Sequence, residues 1–298
     1  MKQEIAVIGA GTMGNGIAHV FAQQGFKVFL IDANQTQLEQ AKNTISKNLD
    51  RQIKKGEILE ENKIEILQNI ILQNAIDENL KNVTLAIEAV SENILIKEKV
   101  LTTLNTFLTE NAIIASNTSS ISITKLASYV LNPDRFIGMH FMNPVPVMPL
   151  VEIISGFHTT NSTLKTIKNI TLKLNKTPLL SEDYPGFVAN RILMPMINEA
   201  ILTLHEGVAN VESIDGIMKL GMNHPMGPLQ LADFIGLDVC LAILNVLYQD
   251  FKNPKYAPSV LLVNMVAAGE LGVKSGRGFY DYNSGIKNAT VSAKFINK

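Results

Sequence analysis

The 298-residue sequence predicts an α/β protein: a Rossmann-like dinucleotide-binding domain over residues 1–183, then an all-helical domain over residues 184–298. Three observations carry this. The β-branched run Glu4–Ile8 leads into GAGTMG, Gly9 to Gly14, and then into an apolar helical pattern. Short apolar runs alternate with helical stretches as far as Asp183, the signature of a parallel sheet wrapped by helices. After DYPG, at 183–186, strand patterns stop and apolar helices take over.

The first unit of chain is strand, glycine turn, helix, strand, acid. Gly9 permits the tight turn, Gly11 lets a pyrophosphate approach the backbone, and Gly14 allows close helix–strand packing. Thr12 and Met13 lie in the same turn, where a helix N-terminus offers free amides and a favourable dipole to phosphate. The helix ends at Gly25, and KVFLID carries the chain to Asp32, positioned to accept hydrogen bonds from the adenosine ribose. A flavin is the competing ligand, since flavoproteins share the fingerprint. No basic residue occurs from Ala33 to Ala41, so a 2′-phosphate meets Asp32 uncompensated, which favours NAD over NADP.

From about 33 to 68 the pattern is a charged helical hairpin turning near Gly56. Lys47, Arg51, Lys54 and Lys55 share one broad face, either solvated or a landing strip for a phosphorylated substrate tail. NIILQ and Val83–Val90 are buried strands. The helix SENILIKEKVLTTLNTFL follows, with Glu92 and Lys97 at a strand–helix junction where an open α/β sheet places ligands. Ala112–Ser120 is a strand ending in hydroxyls and amides; Ser119 there faces the nicotinamide half or, like Ser120 and Ser122, caps a helix.

FIGMHFM is the next strand. It opens Met139–Ile154, MHFMNPVPVMPLVEII, which contains one histidine, His140, and one carboxylate, Glu152. Pro144, Pro146 and Pro149 between them make a rigid crossing, not a helix. A histidine beside a buried carboxylate is a proton acceptor of defined tautomer, the equipment of a general base. A helix near 162–174 leads to TPLLSED and the domain boundary.

Beyond it, GFVANRILMPMINEAILTLHEGVA is helical despite Pro195, VESIDGIMKLG is a second helix, and NHPMG…LYQDF holds one or two more. SVLLVNMVAAGELG is another helix and KSGRGFYDY a loop. So apolar a helical domain predicts burial against a partner, and a homodimer through these helices is expected. Net charge is −1, so no overall field favours nucleic acid or an anionic membrane. The single cysteine, Cys240, excludes an internal disulfide framework and reads as core. With no signal-type segment and no membrane-length apolar run, a cytoplasmic protein is expected. No Cys, His and acid spacing suits a metal, and His19, His158, His205 and His224 read as structural.

Taken together, GAGTMGNGIAHVFAQQG, IEAVSEN, SNTSSISIT, HFMNPVPVMPLVEII, PGFVANRILMPMINEAI, NHPMGPLQLADFIGLD and KSGRGFY resemble the L-3-hydroxyacyl-CoA dehydrogenase family, including its bacterial 3-hydroxybutyryl-CoA dehydrogenases. The resemblance runs over nearly the full length. It implies His140 as catalytic base, Glu152 as its carboxylate partner, and Ser119 and Asn190 at the substrate oxygen. It implies Asp32, Glu92, Lys97 and Asn143 around NAD, an acyl-CoA thioester substrate, and dimerising helices. In this family the hairpin after Asp32 contacts coenzyme A, which makes Lys47 and Arg51 candidates, although no motif there aligns. The cleft after Asp183 becomes a candidate hinge. Two other readings stay open: a hydroxyacid or sugar-acid dehydrogenase without coenzyme A, and a non-catalytic dinucleotide-binding protein.

Overall fold

The computed structural model describes residues 2–296 and divides into two compact units, the first ending at Tyr184 and the second beginning at Pro185. In the first, β1 (Glu4–Ile8), β2 (Lys27–Ile31), β3 (Ile70–Gln73), β4 (Leu85–Glu88), β5 (Ile113–Ser116) and β6 (Phe136–Phe141) are parallel. Then β7 (Leu150–Ser155) turns back antiparallel to β6, and β8 (Thr177–Glu182) pairs parallel with β7. The strand order is β3-β2-β1-β4-β5-β6-β7-β8, so the winding reverses between β1 and β4. That reversal opens a crevice at the carboxyl ends of these strands, where doubly wound sheets bind ligands.

The strands β1, β2 and β4 are buried almost throughout, which is why they read as continuous apolar runs with no alternation. Helices α1 (Thr12–Gln23), α2 (Gln35–Lys54), α3 (Asn62–Gln68), α4 (Ile94–Phe107), α5 (Ile123–Ala127) and α6 (Asn161–Lys173) accompany the sheet. In α2, Leu38, Ala41, Ile45 and Leu49 recur at helical spacing and enter the core beside Ile17 and Phe21 of α1. Asn34 caps α2 by accepting from the Gln37 amide, and Gly56, at φ 72°, turns the hairpin toward α3. A Cβ on Gly14 would come within 1.7 Å of the Gly9 carbonyl oxygen, so the close packing of α1 on the first turn requires glycine there.

The strand β8 has no clear signal in the sequence. It lies at the sheet edge, carries Pro178, and exposes the consecutive residues Leu179 and Leu180, so neither alternation nor burial marks it.

The second unit packs α7 (Ala189–His205), α8 (Val211–Gly221), α9 (Pro228–Ile235), α10 (Leu237–Phe251) and α11 (Val260–Ala267) around Met194, Ile197, Leu229, Leu244, Leu262 and Phe279. Gly236, at φ 101°, lets α9 and α10 meet at a 96° bend. The expectation of an all-helical unit needs one correction. Tyr280–Asp281 (β9) and Thr290–Val291 (β10) form a two-stranded antiparallel sheet, too short for alternation to show. It is pinned from beneath: the buried Asp233 carboxylate accepts from the Phe279 and Tyr280 amides and the Tyr282 hydroxyl. Asp215 likewise accepts from the Leu229 and Gln230 amides at the start of α9 and from the Tyr280 hydroxyl. Among the described residues no single helix is long and apolar enough to cross a membrane.

Candidate active site

The β6–β7 register sets His140 directly opposite Glu152. Opposed residues of an antiparallel pair project from the same face, about 5 Å apart at Cβ, so the two side chains meet without any special loop geometry. His140 Nδ1 lies 3.0 Å from Glu152 Oε2, and both residues are buried, 8% and 4% exposed. The carboxylate assigns the ring proton to Nδ1, so the neutral imidazole carries its lone pair on Nε2 and can accept a second proton there. The end of β6 is fixed from its neighbour: the Phe141 amide donates to Asn117 Oδ1 at 2.9 Å, just beyond β5.

A second polar cluster lies under the loop after β5. Glu88, the last residue of β4, is fully buried and accepts from Lys97 Nζ at 2.8 and 2.9 Å, from the Ser116 hydroxyl at 2.6 Å and from the Val90 amide at 2.8 Å. Lys97 is 1% exposed and also reaches Glu92 Oε2 at 3.1 Å. Glu92 Oε1 in turn accepts from the Thr118 hydroxyl at 2.6 Å, the Ser119 amide at 2.9 Å and the Ser120 amide at 3.2 Å. Burial alone pushes the Glu92 pKa up, but the Lys97 charge and these hydrogen bonds outweigh it and hold the carboxyl below its usual range. Glu92 therefore stays ionised and grips the backbone that presents Ser119. Lys97, expected beside a dinucleotide, is engaged by three carboxylate oxygens of Glu88 and Glu92 beneath that loop. Ser122 caps α5 by accepting from the Lys125 amide, one of the two capping assignments the sequence left open.

The glycine turn fits a dinucleotide by its own geometry. Gly9 has φ 103°, and a Cβ there would lie 2.6 Å from the Ala89 carbonyl oxygen. Around Gly11 a Cβ position has nothing within 4 Å, and Gly11 caps α1 with no side-chain hydrogen bond and no acid in the first turn. The amides of α1 are thus open to a phosphate. Asp32 Oδ2 accepts from the Ala10 amide at 2.8 Å and Oδ1 from the Asn34 amide at 2.9 Å. These bonds tie the turn to β2, and each oxygen keeps a second lone pair for a ribose hydroxyl.

Asn143, on the crossing, lines a cavity together with Thr12 and Asn15 of α1 and Gln37 and Thr44 of α2. Next to it a groove runs between α2 and the crossing, lined by Asn48, Arg51, Gln52, Lys55 and Glu57, the last 3.8 Å from the Lys55 ammonium, on one side and Pro144, Pro146 and Val147 on the other. Arg51 reaches this groove; Lys47, exposed earlier on α2, is not among its lining residues. Asn190 belongs to the second unit, buried in the first turn of α7. Cys240 is buried in α10, and burial pushes its thiol up to about 12, as suits a core residue. Glu88, Ser116 and Thr118 went unremarked in the sequence. The available signal was an acid inside an apolar strand, IEAV, followed nine residues later by a lysine.

A sheet whose switch point carries an anion-binding glycine turn, and whose same edge holds a histidine–carboxylate pair, defines a nucleotide-dependent dehydrogenase. Comparison with known proteins narrows this. Residues 4–184 match the 3-hydroxyacyl-CoA dehydrogenase NAD binding domain, and residues 186–282 match the C-terminal domain of the same enzymes. The chain is 52% identical to a 3-hydroxybutyryl-CoA dehydrogenase of Bradyrhizobium diazoefficiens, over 94% of this chain and 95% of that one. It is 48% identical to a probable 3-hydroxybutyryl-CoA dehydrogenase of Bacillus subtilis, over 94% and 97%. The crystal structure of (S)-3-hydroxybutyryl-CoA dehydrogenase from Ralstonia eutropha superposes with a TM-score of 0.91 at 49% identity, over 95% of this chain and all of that one. The chain belongs to the 3-hydroxyacyl-CoA dehydrogenase family and is an oxidoreductase that uses NAD(H).

Proposed function

We propose that the enzyme interconverts (3S)-3-hydroxybutanoyl-CoA and acetoacetyl-CoA, with His140 as general acid–base and Glu152 as its partner. The observation that carries this is the cross-strand pairing of the two side chains at 3.0 Å. The short-chain substrate is supported by the names of the relatives at 48–52% identity.

Bound NAD+ supplies the hydride acceptor. In the oxidative direction His140 Nε2 takes the C3 hydroxyl proton as C3 becomes a carbonyl, and Glu152 stabilises the imidazolium that results. In reduction His140 returns the proton to the developing alkoxide. Such a base contributes about 10²–10⁴ in rate. Ser119, held by Glu92, hydrogen-bonds the reacting oxygen or orients His140, and Asn190 serves the substrate oxygen. Gly9, Gly11, Thr12, Met13 and Gly14 hold the pyrophosphate, Asp32 the adenosine ribose, and Glu92 and Asn143 lie around the dinucleotide, with Lys97 holding Glu92 from beneath.

The coenzyme A portion lies in the groove between α2 and the crossing, where Arg51 and Lys55 meet its phosphates and Pro146 and Val147 its apolar arm. Lys47 adds positive charge nearby. A homodimer forms through the second unit, whose Ile192, Leu220, Met222, Val260 and Val263 are exposed apolar residues. The enzyme works in the cytoplasm.

The test is loss of NADH absorbance on mixing with acetoacetyl-CoA, with NADPH and free acetoacetate run in parallel. Rapid loss with NADH and the thioester alone is expected. Loss with free acetoacetate but not with the thioester overturns the coenzyme A reading, and no loss with any pair overturns the activity.

A further inference from the structure

The crossing between His140 and Glu152 has an unusual hydrogen-bonding problem. Pro144, Pro146 and Pro149 have no amide hydrogen, so residues 144–149 cannot form a ladder with a neighbouring strand. The Val147 and Met148 amides both turn inward to the Pro144 carbonyl. The carbonyls of Val145, buried, and of Met148, half-buried, need donors from elsewhere, because an unmet buried acceptor costs about 1–3 kcal/mol.

Lys176 supplies them. It follows Asn175, whose left-handed conformation at φ 56° ends α6 and aims the next side chain inward. Lys176 is 6% exposed, and its Nζ donates to the Val145 and Met148 carbonyls, each at 2.7 Å. The next residue adds a third tie, the Thr177 amide to the Pro149 carbonyl at 2.7 Å. Burial pulls the Lys176 ammonium below its usual acidity range, so holding a charge here is costly and a purely space-filling role would be met by an apolar side chain.

From the opposite side α1 presses on the same turn. A Cβ on Gly16 would meet Val145 Cβ at 2.8 Å. One turn later on α1, His19 is fully buried, with Nε2 3.1 Å from Gln52 of α2, itself a lining residue of the groove. Burial, with the Lys176 charge adding to it, pushes the His19 pKa down to about 4, so a neutral ring faces the ammonium. Val145 is thus wedged between Gly16 and Lys176, while Pro146 and Val147 continue outward to form one wall of the α2 groove.

We infer that Lys176 is a positioning residue for the thioester's coenzyme A portion: its two carbonyl contacts hold the Val145–Met148 turn at the distance from α2 that the groove requires. The inference rests on assigning that groove to coenzyme A. Lys176 touches neither the glycine turn nor the His140–Glu152 pair, but Val145 also lines the cavity of Thr12 and Asn143, so removal of Lys176 should act chiefly on the thioester and only weakly on NADH.

The experiment compares wild type with Lys176→Met, which keeps the stem and removes charge and donors. KM for acetoacetyl-CoA should rise about tenfold, with kcat and NADH affinity changing about twofold or less. With acetoacetyl-N-acetylcysteamine, a thioester lacking the nucleotide portion, wild type and variant should have the same KM. Gly16→Ala, which displaces Val145 from the α1 side, should raise KM for acetoacetyl-CoA in the same way and gives the test if Lys176→Met does not fold. Binding of coenzyme A alone, followed by calorimetry, separates the two levels of the argument. Wild type that binds coenzyme A and turns over acetoacetyl-CoA, with variants that match it, overturns the role of Lys176. An equal loss on both thioesters, or a fall in kcat alone, does the same. Wild type that neither binds coenzyme A nor uses acetoacetyl-CoA overturns the groove assignment and this inference with it.

Discussion

Two buried acids stand at the same edge of the sheet and serve opposite ends. Glu88, at the end of β4, faces Lys97, whose ammonium only donates, and is also bonded by Ser116 and the Val90 amide. Glu152, on β7, faces His140, whose neutral imidazole has one donor and one acceptor nitrogen. Burial and pairing are common to both. In the proposed mechanism, what separates scaffold from chemistry is whether the partner can accept a proton as well as donate one. The second unit teaches the same lesson. Burial, above all other causes, pushes Asp233 up to about 7, yet its partners are two amides and a tyrosine hydroxyl that hold a loop in place. A displaced acidity is therefore not by itself a mark of catalysis.

The sharpest way to break this contrast is to remove one member from each pair. His140→Ala should lower turnover by about 10²–10⁴ while NADH affinity, read by its fluorescence, stays near wild type. A modest loss of turnover would erase the distinction between the two acids. Lys97→Met should show the opposite profile. Stripping the cation from two carboxylates costs about 3–5 kcal/mol of stability in denaturant unfolding. A variant as stable as wild type would mean that the β4 cluster is not a scaffold.

A third prediction uses pH. His19 is neutral when folded, with a pKa of about 4 against 6.5 for the free side chain, so the unfolded chain takes up the proton first. Its contribution is fully present above pH 6.5 and is lost as pH falls through 4, a change of about 3 kcal/mol. Unfolding curves of wild type and His19→Gln between those values should converge toward the acid side. Parallel curves would remove His19 from the account. The smallest expected effect is at Asp32. Asp32→Ala should weaken NADH about tenfold and narrow the preference over NADPH, since one charge-assisted contact is lost. An unchanged cofactor ratio would leave specificity to other residues.

Much of this architecture was legible before any coordinates. The glycine turn, the strand to Asp32 and the hairpin at Gly56 announce themselves because each depends on local rules of turn geometry and helical spacing. His140 and Glu152 were legible as a pair because they flank a proline-rich crossing in an otherwise apolar stretch. Other features depend on contacts between residues distant in sequence, which spacing cannot reveal. Glu88 meets Ser116 across two strands, and Lys176 meets Val145 from thirty-one residues away. The charged face of α2 was visible, but its rotation against the crossing was not. That rotation brings Asn48, Arg51 and Lys55 to the groove and leaves Lys47 outside its lining. The edge strand β8 and the small β9–β10 sheet escaped because one lacks a buried face and the other is two residues long.

In the proposed mechanism Glu152 acts through the His140 ring, and a single-turnover experiment reaches that point directly. Glu152→Gln is saturated with NADH, mixed rapidly with excess acetoacetyl-CoA, and followed by loss of NADH absorbance in the first turnover. The predicted result is a rate about 10²-fold or more below wild type, with both substrates still bound at near wild-type affinity. A first turnover at the wild-type rate would contradict it and return Glu152 to the company of Glu88.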